Sequence, residues 1–241
     1  MDALFVTGTD TSVGKTRICG LLLDFLLRQG IDAGYQKWVA TGPERPPADL
    51  RECLEMAGLP LPGPAEMERM VPCRFALPAS PHLAAEQEGA GVDTALLRSR
   101  YEEMRRRHEL LLVEGVGGIL VPLRRDLLLA DFLAELRIPT LVVARPGLGT
   151  INHTLLTLEA LRHRDIPVVG VVCTQARTEE SSPLLVADNM RTIAEMGGVE
   201  VFGLLPHARE KEEAKALFGP IGLAVFARLF PGRSPIGRPA Q

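Results

Sequence analysis

Short apolar runs alternate with segments of helical period along most of the chain. Ala3–Thr7 is apolar and ends against Gly8, which reads as a first strand. Lys15–Gln29 then places Ile18, Leu22, Phe25 and Leu26 at helical spacing. Ala33–Lys37 reads as a short second strand. Leu110–Val113, Thr140–Ala144 and Val168–Cys173 are continuous apolar runs, as strands covered on both faces require, and Val201–Leu205 reads as the last strand. Helical patterns fill Asp93–Arg107, Leu127–Leu136, Ile151–Arg162 and Pro183–Glu195; in the third, Ile151, Leu155, Leu158 and Leu161 share one face. The alternation predicts an α/β fold with a mostly parallel sheet and helices on both faces. Such sheets bind ligands at the carboxyl ends of their strands, so the residues just after each strand carry the functional question. Pro43–Pro81 interrupts the rhythm as a proline-rich excursion with one short helix, Ala48–Ala57. One domain is expected over residues 1–231, with a flexible tail over 232–241.

Composition narrows the function classes. The chain has 241 residues, 46 % apolar and 24 % charged, enough to bury a core without disulfide or metal staples. A net charge of −3 argues against a nucleic-acid binder held by a basic surface. No apolar run reaches the roughly 18–20 residues of a membrane span. The first residues lack the basic region and cleavage site of a signal peptide, so a cytoplasmic location is expected. The four cysteines (Cys19, Cys53, Cys73, Cys173) are scattered, with no metal-ligand spacing, and read as small buried hydrophobes. Only four of the 27 basic residues are lysines: Lys15, Lys37, Lys211 and Lys215. A chain that uses arginine almost everywhere keeps a lysine where its chemistry is needed.

Two of those lysines close strands or loops. Gly8-Thr9-Asp10-Thr11-Ser12-Val13-Gly14-Lys15-Thr16 follows the first strand and opens the first helix. It is a phosphate loop with one residue more than the GxxxxGK[ST] pattern, and it makes the predicted fold one of P-loop NTPase type. Its backbone N–H groups and the positive helix end suit phosphate oxygens, Lys15 reaches the β- and γ-phosphates, and the Thr16 hydroxyl suits Mg²⁺. Glu114 closes a buried strand beside Gly115 and Gly117 and is a second Mg²⁺ candidate. Asp49 fits either a helix N-terminal acid or a metal ligand. Lys37 closes the second strand and can neutralise charge on a transferring phosphoryl group, with Thr41 as a hydroxyl donor to a polar substrate. Gly149-Thr150-Ile151-Asn152 opens a helix whose free N–H groups suit a carboxylate, or is an ordinary helix start. His82 and His153 show no acid or nucleophile partner and read as packing residues.

Five motifs in order resemble the dethiobiotin synthetase family: Val6–Thr16, Gln36–Gly42, Ser80-Pro81-His82, Val113–Gly118 and Gly149–His153. The resemblance runs from residue 4 to about residue 210 and includes the extra P-loop residue. It implies a homodimer that uses ATP, Mg²⁺ and CO₂ to close a ureido ring on 7,8-diaminononanoate, with no nucleic-acid or membrane partner. The implied route runs through a carbamate and a carbamic–phosphoric anhydride. Lys15, Lys37 and Thr11 are then catalytic. Asp10, Thr11, Ser12, Val13, Gly14, Lys15, Thr16, Glu114, Gly115 and Gly117 hold the nucleotide, with Thr174, Gln175, Pro206, His207 and Ala208 at its base. Thr16, Asp49 and Glu114 hold Mg²⁺. Lys37, Thr41 and Gly149–Asn152 bind the substrate, the last four at its distant carboxylate across the dimer interface.

Two departures carry expectations. Trp38 stands where the family has proline and is expected to reshape the pocket edge. Thr174-Gln175 stands where the family has asparagine, which is expected to relax the preference for ATP. Two other P-loop classes compete. An amide-forming ligase with a glutaminase domain needs a nucleophilic cysteine and a second domain, for which the chain has no candidate. A ParA/MinD-like switch carries an extra lysine early in the loop, where Thr9 stands here, and a membrane or DNA anchor, which the tail does not supply.

Overall fold

The computed structural model describes residues 1–175 and 182–236. The first half runs β1 (Ala3–Gly8), α1 (Lys15–Arg28), β2 (Ala33–Lys37), β3 (Val39–Thr41), α2 (Ala48–Ala57), α3 (Pro64–Met70), β4 (Cys73–Phe75), α4 (Pro81–Gln87) and α5 (Thr94–Arg105). The second half runs β5 (Leu110–Gly118), β6 (Pro122–Arg124), β7 (Leu127–Leu128), α6 (Leu129–Leu136), β8 (Thr140–Ala144), α7 (Thr150–Arg162), β9 (Val168–Thr174), α8 (Pro183–Gly197), β10 (Val201–Leu205) and α9 (Lys211–Leu229). Six strands form the central sheet in the order β10-β9-β8-β1-β5-β2, and every neighbouring pair is parallel. The expected architecture is present.

Strand alternation at β2 shows how the two faces differ. Gln36 donates to the Arg69 carbonyl on α3 and accepts from Trp38 Nε1 at 3.1 Å. Trp38 is fully buried against Phe5, Tyr101 and Phe132, so this face is aromatic core. Tyr35 and Lys37 alternate to the opposite face, toward α1 and α2. The expectation that Trp38 reshapes the pocket edge is therefore overturned. Its ring lies across the sheet from the Lys37 ammonium and lines no part of the cavity described below.

Several bounds differ from the sequence reading. β5 continues past Val113 through Glu114 to Gly118, with a register shift against β1 and Gly117 at φ +60°, an irregularity that glycine tolerates. Leu127–Leu128 pairs with β6 before α6 begins, so the helix expected over Leu127–Leu136 starts two residues later. The proline-rich excursion holds α3 and β4 besides the expected helix, and β4 pairs in parallel with β3, which precedes the excursion. α9 was not foreseen: Gly219, Pro220 and Gly222 lie inside it, and such residues read as helix breakers. Gly222 is needed there, since a Cβ would lie 2.6 Å from the Phe25 ring of α1. Of the expected tail, Ile236 donates its N–H to Gln29 Oε1, and residues 237–241 lie outside the described ones.

Trp38 supplies a test of this packing. Trp38→Ala should lower unfolding free energy by about 3–5 kcal/mol, the usual cost of deleting a buried large aromatic. Urea unfolding followed by circular dichroism reads it directly; a change below about 1 kcal/mol would place the ring outside the core.

Candidate active site

The site is assembled where β1, β2 and β5 end. The P-loop spans the turn from β1 to α1, and Gly14 sits at φ +94° in the left-handed region. A Cβ at Gly14 would also lie 2.9 Å from Thr174 Cγ2, so glycine is required twice over. Lys15 folds back over the loop and donates to the Asp10 carbonyl at 2.9 Å. Asp10 in turn accepts the Thr11 N–H at 2.7 Å.

A buried charge cluster lies beside the loop. The parallel register of β2 and β5 sets Lys37 opposite Glu114. Lys37 Nζ lies 2.7 Å from Glu114 Oε1 and 2.7 Å from Asp49 Oδ2, and donates to the Gly115 carbonyl at 2.8 Å. Thr16 Oγ1 donates to Glu114 Oε1 at 2.8 Å. Tyr35 OH donates to Glu114 Oε2 at 2.7 Å. Lys37, Glu114 and Tyr35 are buried, while the Asp49 carboxylate is partly open to solvent.

These neighbours set the protonation states. Burial opposes the Lys37 charge, but Glu114 and Asp49 outweigh it and raise its pKa. Burial also opposes the Asp49 charge, and Lys37 overcomes it, holding that carboxyl below its ordinary value. Burial and the nearby Glu114 keep the Tyr35 phenol protonated. Lys15 has no such carboxylate contact: burial and repulsion from Lys37 push it down to about 8. Glu52, one helical turn beyond Asp49, is raised by burial and by the charges of Glu114 and Asp49.

A cavity of about 420 Å³ opens over this cluster. It brings together the sequence candidates Thr11, Ser12, Gly14, Lys15, Thr16, Lys37, Thr41, Asp49, Glu114 and Gly117. Arg17, Glu52 and Val116 line it as well and were not anticipated. Glu52 was legible as the i+3 neighbour of Asp49 on α2, which shares its helix face. Asp10 and Val13 shape the loop beneath, and Gly115 contributes the carbonyl that holds Lys37.

The remaining candidates lie outside the cavity lining. Thr174 abuts Gly14, and its buried hydroxyl has no partner among the described residues. Gln175 N–H donates to the Leu205 carbonyl, joining the ends of β9 and β10. Arg17 Nη2 donates to the Ala208 carbonyl at 2.7 Å, tying α1 to the Pro206-His207-Ala208 segment. Gly149, Thr150, Ile151 and Asn152 start α7, with Gly149 at φ +86°. They line neither the main cavity nor a second one of about 370 Å³, whose wall includes Thr9, Asp10, Leu120, His153 and Leu156.

Oxygen donors dominate the cluster, as a hard divalent cation requires. Two carboxylates and a hydroxyl converge, though among the described residues no three acidic, histidine or cysteine side chains are placed to hold a metal ion together. The Lys37 ammonium lies on the same carboxylate oxygens.

Comparison with known proteins fixes the family. A family profile described as an AAA domain matches residues 2–215. An ATP-dependent dethiobiotin synthetase of Anaeromyxobacter dehalogenans is 40 % identical over 209 residues, covering 86 % of this chain and 90 % of that protein. One from Methanococcus vannielii is 36 % identical over 202 residues, covering 84 % and 92 %. The chain belongs to the dethiobiotin synthetase family. Among solved structures, the MinC:MinD cell division complex of Aquifex aeolicus aligns with a TM-score of 0.60 at 16 % identity, over 99 % of both chains. At that identity the likeness is one of fold, the P-loop ATPase sheet that this synthetase-family chain shares.

The depressed Lys15 generates a test. Phosphate oxygens favour its charged form, so nucleotide binding at pH 9 should take up close to one proton at Lys15, and at pH 7 almost none. Calorimetry in buffers of different ionisation enthalpy reads the proton count; equal uptake at both pH values would contradict the assignment.

Proposed function

We propose that this chain makes dethiobiotin from 7,8-diaminononanoate, CO₂ and ATP. Family membership supplies the reaction. The observation that carries the site assignment is the convergence of Lys15, Lys37, Thr16, Asp49 and Glu114 on one cavity beside the P-loop.

One substrate amine reacts with CO₂ to give a carbamate. A carbamate oxygen attacks the γ-phosphorus of ATP, ADP leaves, and a carbamic–phosphoric anhydride forms. The second amine attacks the carbamoyl carbon, phosphate departs, and the ureido ring closes. Lys37 and Lys15 hold the carbamate and the phosphoryl oxygens, where their fixed charge counters the charge that develops in transfer. Thr11 lies beside them and Thr41 meets the diamine end. The P-loop N–H groups from Asp10 to Thr16, with Gly115 and Gly117, cradle the phosphates. Thr174, Gln175 and Pro206–Ala208 border the base.

Thr16, Asp49 and Glu114 fit Mg²⁺, because each offers oxygen and Asp49 opens to the cavity. When bound, the ion would supply charge neutralisation to the phosphates. Lys37 Nζ contacts one oxygen of each of these two carboxylates, which places its charge beside the same site.

The reading includes a homodimer in the cytoplasm. The dimer is carried over from the family; Leu120 and, on α7, Leu156 are about half exposed at the wall of the second cavity. The start of α7 then meets the substrate carboxylate through Gly149–Asn152. Among the described residues, no helix is long and apolar enough to cross a membrane.

Phosphate release by the purified protein with ATP, Mg²⁺ and bicarbonate tests the reading. Release should depend on the diamine, vanish with a chelator, and fall at least about 10²-fold in Lys37→Ala. Hydrolysis indifferent to the diamine would reject the synthetase reading. Repeating the assay with CTP and GTP shows whether Thr174-Gln175 relaxes base choice.

A further inference from the structure

Glu114 is fully buried, and three donors meet its carboxylate. Thr16 and Lys37 share Oε1 and belong to the cavity wall. Among the described residues Tyr35 alone takes Oε2, at 2.7 Å, and it stands outside the cavity. Alternation along β2 puts Tyr35 on the face of Lys37, two residues deeper in the sheet. Two strand residues rise about 6.6 Å, a distance that a phenol can bridge. The phenol ring is core packing; the hydroxyl adds a polar contact, and that contact is with Glu114.

A glutamate carboxylate turns easily about its last torsion. With Oε2 pinned from below, Oε1 is held toward Thr16 and the cavity. Partners that orient a metal-binding carboxylate in this way typically change metal affinity 10–100-fold when removed. We propose that Tyr35 is a positioning residue for the divalent-metal site, fixing Glu114 through Oε2 so that Oε1 faces the ion. This rests on the reading that Glu114 holds Mg²⁺.

The test measures the Mg²⁺ concentration that half-saturates the enhancement of binding of a non-hydrolysable ATP analogue, by calorimetry. Tyr35→Phe keeps the ring and removes the hydroxyl. It should raise that concentration about tenfold and leave analogue binding without Mg²⁺ unchanged. In a Glu114→Gln background the same substitution should add nothing further, as coupled residues do. The thermal midpoint is read alongside. A lower midpoint with an unchanged Mg²⁺ requirement would make Tyr35 a packing residue and overturn the proposal. An equal loss in the Glu114→Gln background would overturn it too. Wild-type binding that ignores Mg²⁺ would overturn the metal assignment as well, and is recognised before any substitution is made.

Discussion

The site depends on one buried ion pair, Lys37 with Glu114, across the β2–β5 ladder. Neither charge can be left alone in that position, because an unpaired buried ion costs several kcal/mol. The pair lasts only while the two strands keep their parallel register, since a slip of one residue would turn Lys37 to the aromatic face. Gly115, Thr16, Asp49 and Tyr35 supply further contacts, so both charged groups are enclosed by partners. A pair held this way specifies a geometry more than it adds stability.

That geometry divides the sheet into two kinds of surface at β2. One face carries Trp38 and Gln36 into an aromatic core with Phe5, Tyr101 and Phe132. The other faces the P-loop helix and α2, where Lys37, Asp49 and Glu114 gather under the cavity. Rigid core on one side holds the strand whose other side does the chemistry. Lys15 is the contrast. It contacts the Asp10 carbonyl, and burial and repulsion from Lys37 bring it down to about 8, so it loses its charge at a much lower pH than Lys37 does.

Much of this was legible in the residues. Apolar runs located β1, β5, β8, β9 and β10, because strands covered by packing have little else in them, while β2, with Gly34, Gln36 and Lys37, read as a short strand without such a run. The scarcity of lysine singled out Lys15 and Lys37, and both line the cavity. Other features were hidden for physical reasons. α9 is broken on paper by Gly219, Pro220 and Gly222, yet it is held by packing against α1 that local propensity cannot report. Trp38 looked like a pocket residue because it follows Lys37, although alternation sends neighbours to opposite faces. Tyr35 reads as an ordinary strand aromatic until the register with β5 shows its hydroxyl at Glu114. Arg17 reaches Ala208 across 191 positions, a distance over which sequence spacing gives no signal.

The dependence of the site on the buried pair can be measured by urea unfolding of Lys37→Met, Glu114→Gln and the double variant. Lys37→Met alone strands a buried carboxylate and should cost about 3–5 kcal/mol. Adding Glu114→Gln removes that charge and should recover most of the loss, giving a strongly non-additive cycle. Additive losses would mean that the two groups stand independently, and would contradict the claim that this pair holds the site together.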